Sequence, residues 1–186
     1  MNIEKTPLEG LLILQPKRHG DARGWFSEVY SRPALAAAGI DLEFVQDNHS
    51  MSGAAGTLRG LHYQRPPFAQ DKLVRCTRGV IYDVAVDVRV GSPSYGKWFG
   101  VEISAENGLQ VFVPVGFLHG FVTRTEGAEV QYKVTAPYSA ECDGGVAWDD
   151  PDIGIDWGTD APILSAKDTQ APRFAAFKSP FKYGAS

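Results

Sequence analysis

In the segment GTLRGLHYQ, residues 56 to 64, Arg59 is followed by Gly60 and, two positions on, by His62. His62 is one of only four histidines in the chain. An imidazole there can ligate a metal, exchange a proton near neutral pH, or pack as an ordinary core residue. A guanidinium beside it can hold an anion such as a phosphate through paired donors. Regular strand alternation would set Arg59, Leu61 and Tyr63 on one face and Gly60, His62 and Gln64 on the other. Both side chains reach one cavity only if Arg59 precedes the strand or a bulge intervenes, and Gly60 suits a bulge. Parity singles out two further residues. Lys72 shares its face with Val74 and Cys76, and Asp83 on the neighbouring strand is a candidate partner that would keep it charged. Tyr132 shares a face with Val130 and Val134, which points it inward. A solvated lysine and a buried structural tyrosine are the plain readings of the same two residues.

The elements that must position these residues read as short strands. Glycine (20) and proline (12) punctuate alternating runs, the pattern of an all-β sandwich or barrel. Strands are expected over residues 72 to 89 with a turn near Arg78-Gly79, and over 97 to 104, 109 to 114, 120 to 125 and 128 to 135. In the first run Val80, Tyr82, Val84, Val86 and Val88 form one face. Asp83, Ala85 and Asp87 form the other, a polar face that could border a cavity. One short helix is expected at 32 to 38, with Ser31 as its cap, Pro33 in its first turn and Gly39 after its end. The tail after Pro162 reads as loop, with a terminal helix in RFAAFKS. No repeat, linker or composition shift divides the chain, so residues 1 to 186 are read as one domain.

Composition narrows the function classes. The chain is 44% hydrophobic and 22% charged with a net charge of −4, ordinary values for a globular protein. Without a basic face, nucleic acid is not an expected partner, and any phosphate must be held by a few placed arginines. The apolar run LLIL near the N-terminus is too short for a signal core or a membrane span. The only two cysteines, Cys76 and Cys142, lack metal or pairing spacing. The expectation is a cytoplasmic protein without membrane contact.

GLQVFVPVGFLH, residues 108 to 119, resembles the second cupin signature at Gly108, Pro114, Gly116 and His119. That resemblance implies a cupin-type β jelly roll, a double-sheet antiparallel barrel that manages its strand edges. Metal-binding cupins carry His-any-His in the first motif, whereas this chain reads His62-Tyr63-Gln64. A three-histidine site cannot be assembled there, so no metal is expected.

A longer series of motifs narrows the resemblance. GDARGWFSE (20 to 28), QDNHSMSGAAGTLRGLHYQ (46 to 64), the run 72 to 104, VPVGFLHGF (113 to 121), QYKVTAPY (131 to 138) and WDDPDIGIDW (148 to 157) stand in order. Together they resemble the dTDP-4-dehydrorhamnose 3,5-epimerase family over nearly the whole chain. The resemblance implies a cofactor-free isomerase acting on a dTDP-linked 4-keto-6-deoxyhexose, in a homodimer with exchanged N-terminal strands. A relative acting at one carbon, or a cupin that only binds a nucleotide sugar, would share many of these motifs.

The chemistry agrees with it. Inverting a carbon beside a ketone needs a base, a cation or donor at the enolate oxygen, and an acid on the opposite face. The resemblance makes His62 the base paired with Asp168 and Tyr132 the acid, with His119 near the enolate, while the inward parity of Lys72 would set its ammonium against the developing C4 oxyanion. For the nucleotide and sugar it implies Arg23, Glu28, Gln46, Asn48, Arg59 and Lys167, the first two reaching in from a partner subunit. Phe26 and Tyr138 are the aromatic candidates to stack on the base. Where relatives carry a glutamate, this chain has Asp143, in ECDGGVAWDDP, placed with the substrate ligands.

Overall fold

The computed structural model describes residues 1–184, and in it the alternating runs pair as antiparallel strands. In chain order these are Asn2–Lys5 (β1), Leu12–Gln15 (β2), Arg18–Asp21 (β3), Gly24–Ser27 (β4), Gln46–Ser52 (β5), Leu58–Gln64 (β6) and Lys72–Arg78 (β7). Then follow Val80–Asp87 (β8), Trp98–Ser104 (β9), Gln110–Val113 (β10), Phe117–Thr123 (β11), Ala128–Val134 (β12) and Asp143–Gly145 (β13). One sheet has the order β1-β2-β10-β7-β12-β5, and a second has β13-β6-β11-β8-β9. β3 and β4 form a separate hairpin.

The core lies between the two large sheets. Val74, Cys76, Val111 and Val130 from the first meet Ile81, Ala85, Ile103 and Phe121 from the second. Each sheet is also covered on its outside. Val84 and Val86 of β8, with Val88 just after it, pack beneath Ile153, Trp157 and Phe181 of the C-terminal segment. Leu14, Leu73 and Phe112 pack against Leu35, which stands on the helix Arg32–Ala37 (α1), and against Ile40. Thus the valine face expected for β8 points outward and is buried anyway, while its Asp83 face looks between the sheets.

Three local expectations need correction. Ser31 stands at the N-cap of α1, but its hydroxyl makes no capping bond; burial of Leu35 ties the helix down. RFAAFKS forms only a 3-10 turn, Phe174–Ala176. Its aromatic rings are taken up by packing, with Phe177 edge-on to Tyr63, and Pro180 follows closely. A short helix does form earlier in the tail, Ala166–Thr169 (α2), where the Ser165 hydroxyl accepts from the Asp168 amide at 3.1 Å. In addition, β11 begins at Phe117 and not at residue 120, so His119 lies within the strand.

The expected bulge is present. Opposite β11, His62 pairs with His119 while Arg59 pairs with Phe121, so two residues of β6 face the single Gly120. Gly60 has φ +137°, and a Cβ there would lie 2.6 Å from the Gly120 Cα. Only glycine fits that close approach.

Candidate active site

The bulge turns Arg59 and His62 toward the same space. A cavity of about 400 Å³ between the sheets is lined by Arg59 and His62 of β6, Lys72 of β7, His119 of β11, Tyr132 of β12 and Asp168 of α2. A second lobe of about 290 Å³ shares His62, Lys72, Tyr132 and Lys167 with it and adds Gln46, Asn48, Tyr138 and Asp143. The parity readings for Lys72 and Tyr132 therefore hold.

On one wall, His62 Nε2 lies 2.5 Å from Asp168 Oδ1. The Asp168 side chain is 3% exposed and that of His62 30%. Burial tends to raise the Asp168 carboxyl, but the hydrogen bond and charge of His62, the Ser165 hydroxyl and Lys167 outweigh it. The net result lies below the ordinary carboxylate range. An ionised carboxylate on Nε2 fixes that nitrogen as the protonated one and leaves Nδ1 to act as a base.

Lys72 and Tyr132 belong to the opposite sheet. Burial pulls the Lys72 ammonium down to about 8; the charges of Asp83 and then Asp143 oppose the fall, and Lys167 adds to it. Burial likewise raises the Tyr132 phenol, with Arg59 acting against it and Asp143 with it. Asp83 is not the direct partner of Lys72 that parity suggested. Its two oxygens lie 2.9 and 3.1 Å from His119 Nε2, and Lys72 feels it as a neighbouring charge.

The lowered Lys72 has a measurable consequence. Between about pH 8 and 10.5 the unfolded chain binds more protons at this residue than the folded one, so stability rises with pH across that window. Below pH 8 the buried ammonium opposes folding, by up to about 3 kcal/mol. Lys72→Met should therefore resist urea better at pH 7, by about 1–3 kcal/mol, and lose the rise above pH 8. A Lys72→Met protein less stable than the parent at pH 7 would contradict this.

The remaining expected ligands divide. Arg59 lines the cavity while Nε donates to Ser52 Oγ and a terminal nitrogen to the Met51 carbonyl, both at 3.2 Å. Gln46 donates to Asn48 Oδ1 at 2.8 Å and accepts from the Tyr138 amide at 3.3 Å. Asp143 Oδ2 accepts from Lys167 Nζ and, at 3.2 Å, from the Tyr138 hydroxyl. The shorter aspartate thus still meets two partners at the rim. Arg23, Phe26 and Glu28 are not brought to this cavity. Arg23 is bound to Asp21 at 2.6 Å on the β3–β4 hairpin, Phe26 is 71% exposed, and Glu28 is exposed just beyond β4. Sequence reasoning missed the cap Ser165, although a serine three residues before Asp168 is a legible helix-start signal.

A β-barrel cavity with a histidine–carboxylate pair on one wall and a lysine and a tyrosine on the other defines an enzyme built to move protons on a bound small molecule. Comparisons with known proteins narrow that class. The family model for dTDP-4-dehydrorhamnose 3,5-epimerase matches residues 5–176. A dTDP-4-dehydrorhamnose 3,5-epimerase from Sinorhizobium fredii is 50% identical over 184 residues, 98% of this chain and 94% of that protein. A crystal structure from Legionella pneumophila, a dTDP-6-deoxy-D-glucose-3,5-epimerase in complex with dTDP-4-keto-L-rhamnose, superposes with a TM-score of 0.94 at 40% identity. That match covers 99% of each chain. A dTDP-4-dehydrorhamnose 3-epimerase from Streptomyces niveus is 36% identical over 172 residues, 92% of this chain and 83% of that protein. The chain belongs to the dTDP-4-dehydrorhamnose 3,5-epimerase family, and its fold is the cupin-type jelly roll of that family.

Proposed function

We propose that this protein inverts C3 and C5 of dTDP-4-dehydro-6-deoxy-D-glucose to give dTDP-4-dehydro-L-rhamnose, a step of dTDP-L-rhamnose biosynthesis. The observation that carries this reading is that His62–Asp168, Lys72 and Tyr132 share one cavity. His62 Nδ1 takes the proton from the carbon beside the C4 ketone. The electron pair moves to the C4 oxygen, where the Lys72 ammonium and His119 stabilise the enolate. As the carbonyl re-forms, carbon takes the Tyr132 proton on the opposite face; the His62 proton then leaves to solvent and solvent returns a proton to Tyr132. Repeating the step at the second carbon completes the conversion. No cofactor enters the scheme.

The nucleotide sugar spans both lobes, with Arg59 of the larger lobe at the pyrophosphate, Gln46, Asn48, Lys167 and Asp143 around the sugar nucleotide, and Tyr138 against the base. Arg23, Phe26 and Glu28 complete the site of a second copy of this chain, in a homodimer that exchanges N-terminal strands. The exposed hairpin supports this, with Trp25 at 60% and Phe26 at 71% exposure. We place the whole chain in one domain and the protein in the cytoplasm. Support for the latter is that Cys76 and Cys142 are both free, and that no described helix is long and apolar enough to cross a membrane.

After treatment with EDTA, the purified protein should still convert dTDP-4-keto-6-deoxy-D-glucose to the L-configured ketone. Loss of turnover that a divalent ion restores would remove the cofactor-free reading. For binding, Arg59→Ala should weaken dTDP by about 1.5–3 kcal/mol in calorimetry, the worth of a charge-assisted contact. Unchanged dTDP affinity would take Arg59 out of the pyrophosphate site.

A further inference from the structure

A second histidine–carboxylate pair faces the cavity, and the proposed proton transfers do not use its carboxylate. His119 stands opposite His62 across β6 and β11, and opposite Ala85 on β8, two residues along the same face from Asp83. Both Asp83 oxygens lie within hydrogen-bond distance of His119 Nε2, and the Asp83 side chain is 1% exposed. A carboxylate that deep is costly to keep charged unless donors and cations answer it. The His119 ring answers with a hydrogen bond at Nε2.

Besides Lys72, the charged and titratable groups facing this space are Arg59, His62 and Tyr63 from β6, His119 from β11, Tyr132 from β12, Tyr138 after it, Asp143 from β13, and Lys167 with Asp168 from α2. Among the carboxylates, Asp168 is engaged by His62, and Asp143 by Lys167 and Tyr138. Apart from His119, Asp83 has no charged partner in direct contact among the described residues, and its charge acts on Lys72 across the barrel, from β8 in one sheet to β7 in the other.

We infer that Asp83 is a positioning residue: its buried carboxylate fixes the His119 ring in the cavity wall and holds Lys72 in the ammonium form that meets the substrate's C4 oxygen. This rests on the epimerase reading above. Without the Asp83 charge, burial would act on Lys72 with less opposition, and Lys72 would be neutral over more of the working pH range.

The test is a titration of the Lys72 Nζ by nitrogen NMR in the folded protein, beside a pH profile of kcat. The parent should titrate near 8. Asp83→Asn should lower that midpoint by about one unit or more and move the alkaline limb of kcat down with it. Affinity for dTDP, which lacks the hexose, should stay within about twofold. Asp83→Glu, which keeps the charge, should recover most of the limb. An unmoved Lys72 midpoint in a folded Asp83→Asn protein overturns the proposal, as does a kcat reduced equally at every pH.

A measurement on the parent covers the case in which Asp83→Asn does not fold. The Asp83 carboxyl carbon resonance should step where Lys72 titrates, and the step should vanish in Lys72→Met. Absence of that step also overturns the coupling. The two readings fail separately: a parent that turns over with an unmoved midpoint sinks the role of Asp83 alone. A parent that makes no product while the midpoint moves sinks the epimerase reading and supports the coupling.

Discussion

Incubated with dTDP-4-keto-6-deoxyglucose in D₂O, the protein should place deuterium at both C3 and C5, and His62→Ala should place it at neither. The expectation follows from how His62 is held. Its Nε2 is committed to Asp168 at 2.5 Å, so Nδ1 is the nitrogen left for the substrate. Asp168 cannot stand in for it, because its side chain is 3% exposed and its carboxyl is held below the usual range. Lys72, although burial pulls its ammonium down to about 8, is still mostly protonated at neutral pH and is a poor base there. General base catalysis of this kind contributes about 10²–10⁴-fold, and His119, the other histidine of the cavity, is bound to Asp83 and assigned to the enolate oxygen, not to the carbon. Mass spectrometry and proton NMR of recovered sugar would show the label. Label at one carbon only would make this chain a single-carbon epimerase like its Streptomyces niveus relative. Background labelling by the parent would leave a nucleotide-sugar binder, and parental labelling by His62→Ala would remove His62 as the base.

Tyr132→Phe should separate the two halves of the reaction. The substitution deletes one hydroxyl and keeps the ring that packs against Val74 and Val130 in the core, so the cavity wall stays in place. The base and the lysine remain, and proton removal can continue. Delivery to the opposite face then lacks its donor. Product should fall by about 10²–10⁴-fold, while some deuterium still enters recovered substrate through return on the original face. Burial raises the Tyr132 phenol, which keeps it protonated at neutral pH and able to serve as the acid. A Tyr132→Phe protein that makes product at the parent rate would rule out this residue as the acid.

The alternation of β7, β8 and β12 was legible from the residues because burial of one face between the sheets fixes register. A one-residue slip would expose Val74 or Val130 and bury Arg75 or Gln131. That periodicity carried the inward placement of Lys72, Tyr132 and Asp83, and the glycine at 60 carried the bulge between Arg59 and His62. Side-chain partners are another matter. Parity gave Asp83 to Lys72, but strand order sets β8 beside β11, and the nearest donor became His119. The pairing of His62 with Asp168 joins residues 106 positions apart through a one-turn helix that period alone does not announce, and its closeness was implied by resemblance. Arg23, Phe26 and Glu28 sit on a hairpin that the same chain's cavity does not meet. Local pattern determines which face a side chain takes, because steric alternation acts between neighbours in sequence. Which groups then meet, and how far burial shifts their protons, is decided by sheet order and the low-dielectric space it encloses.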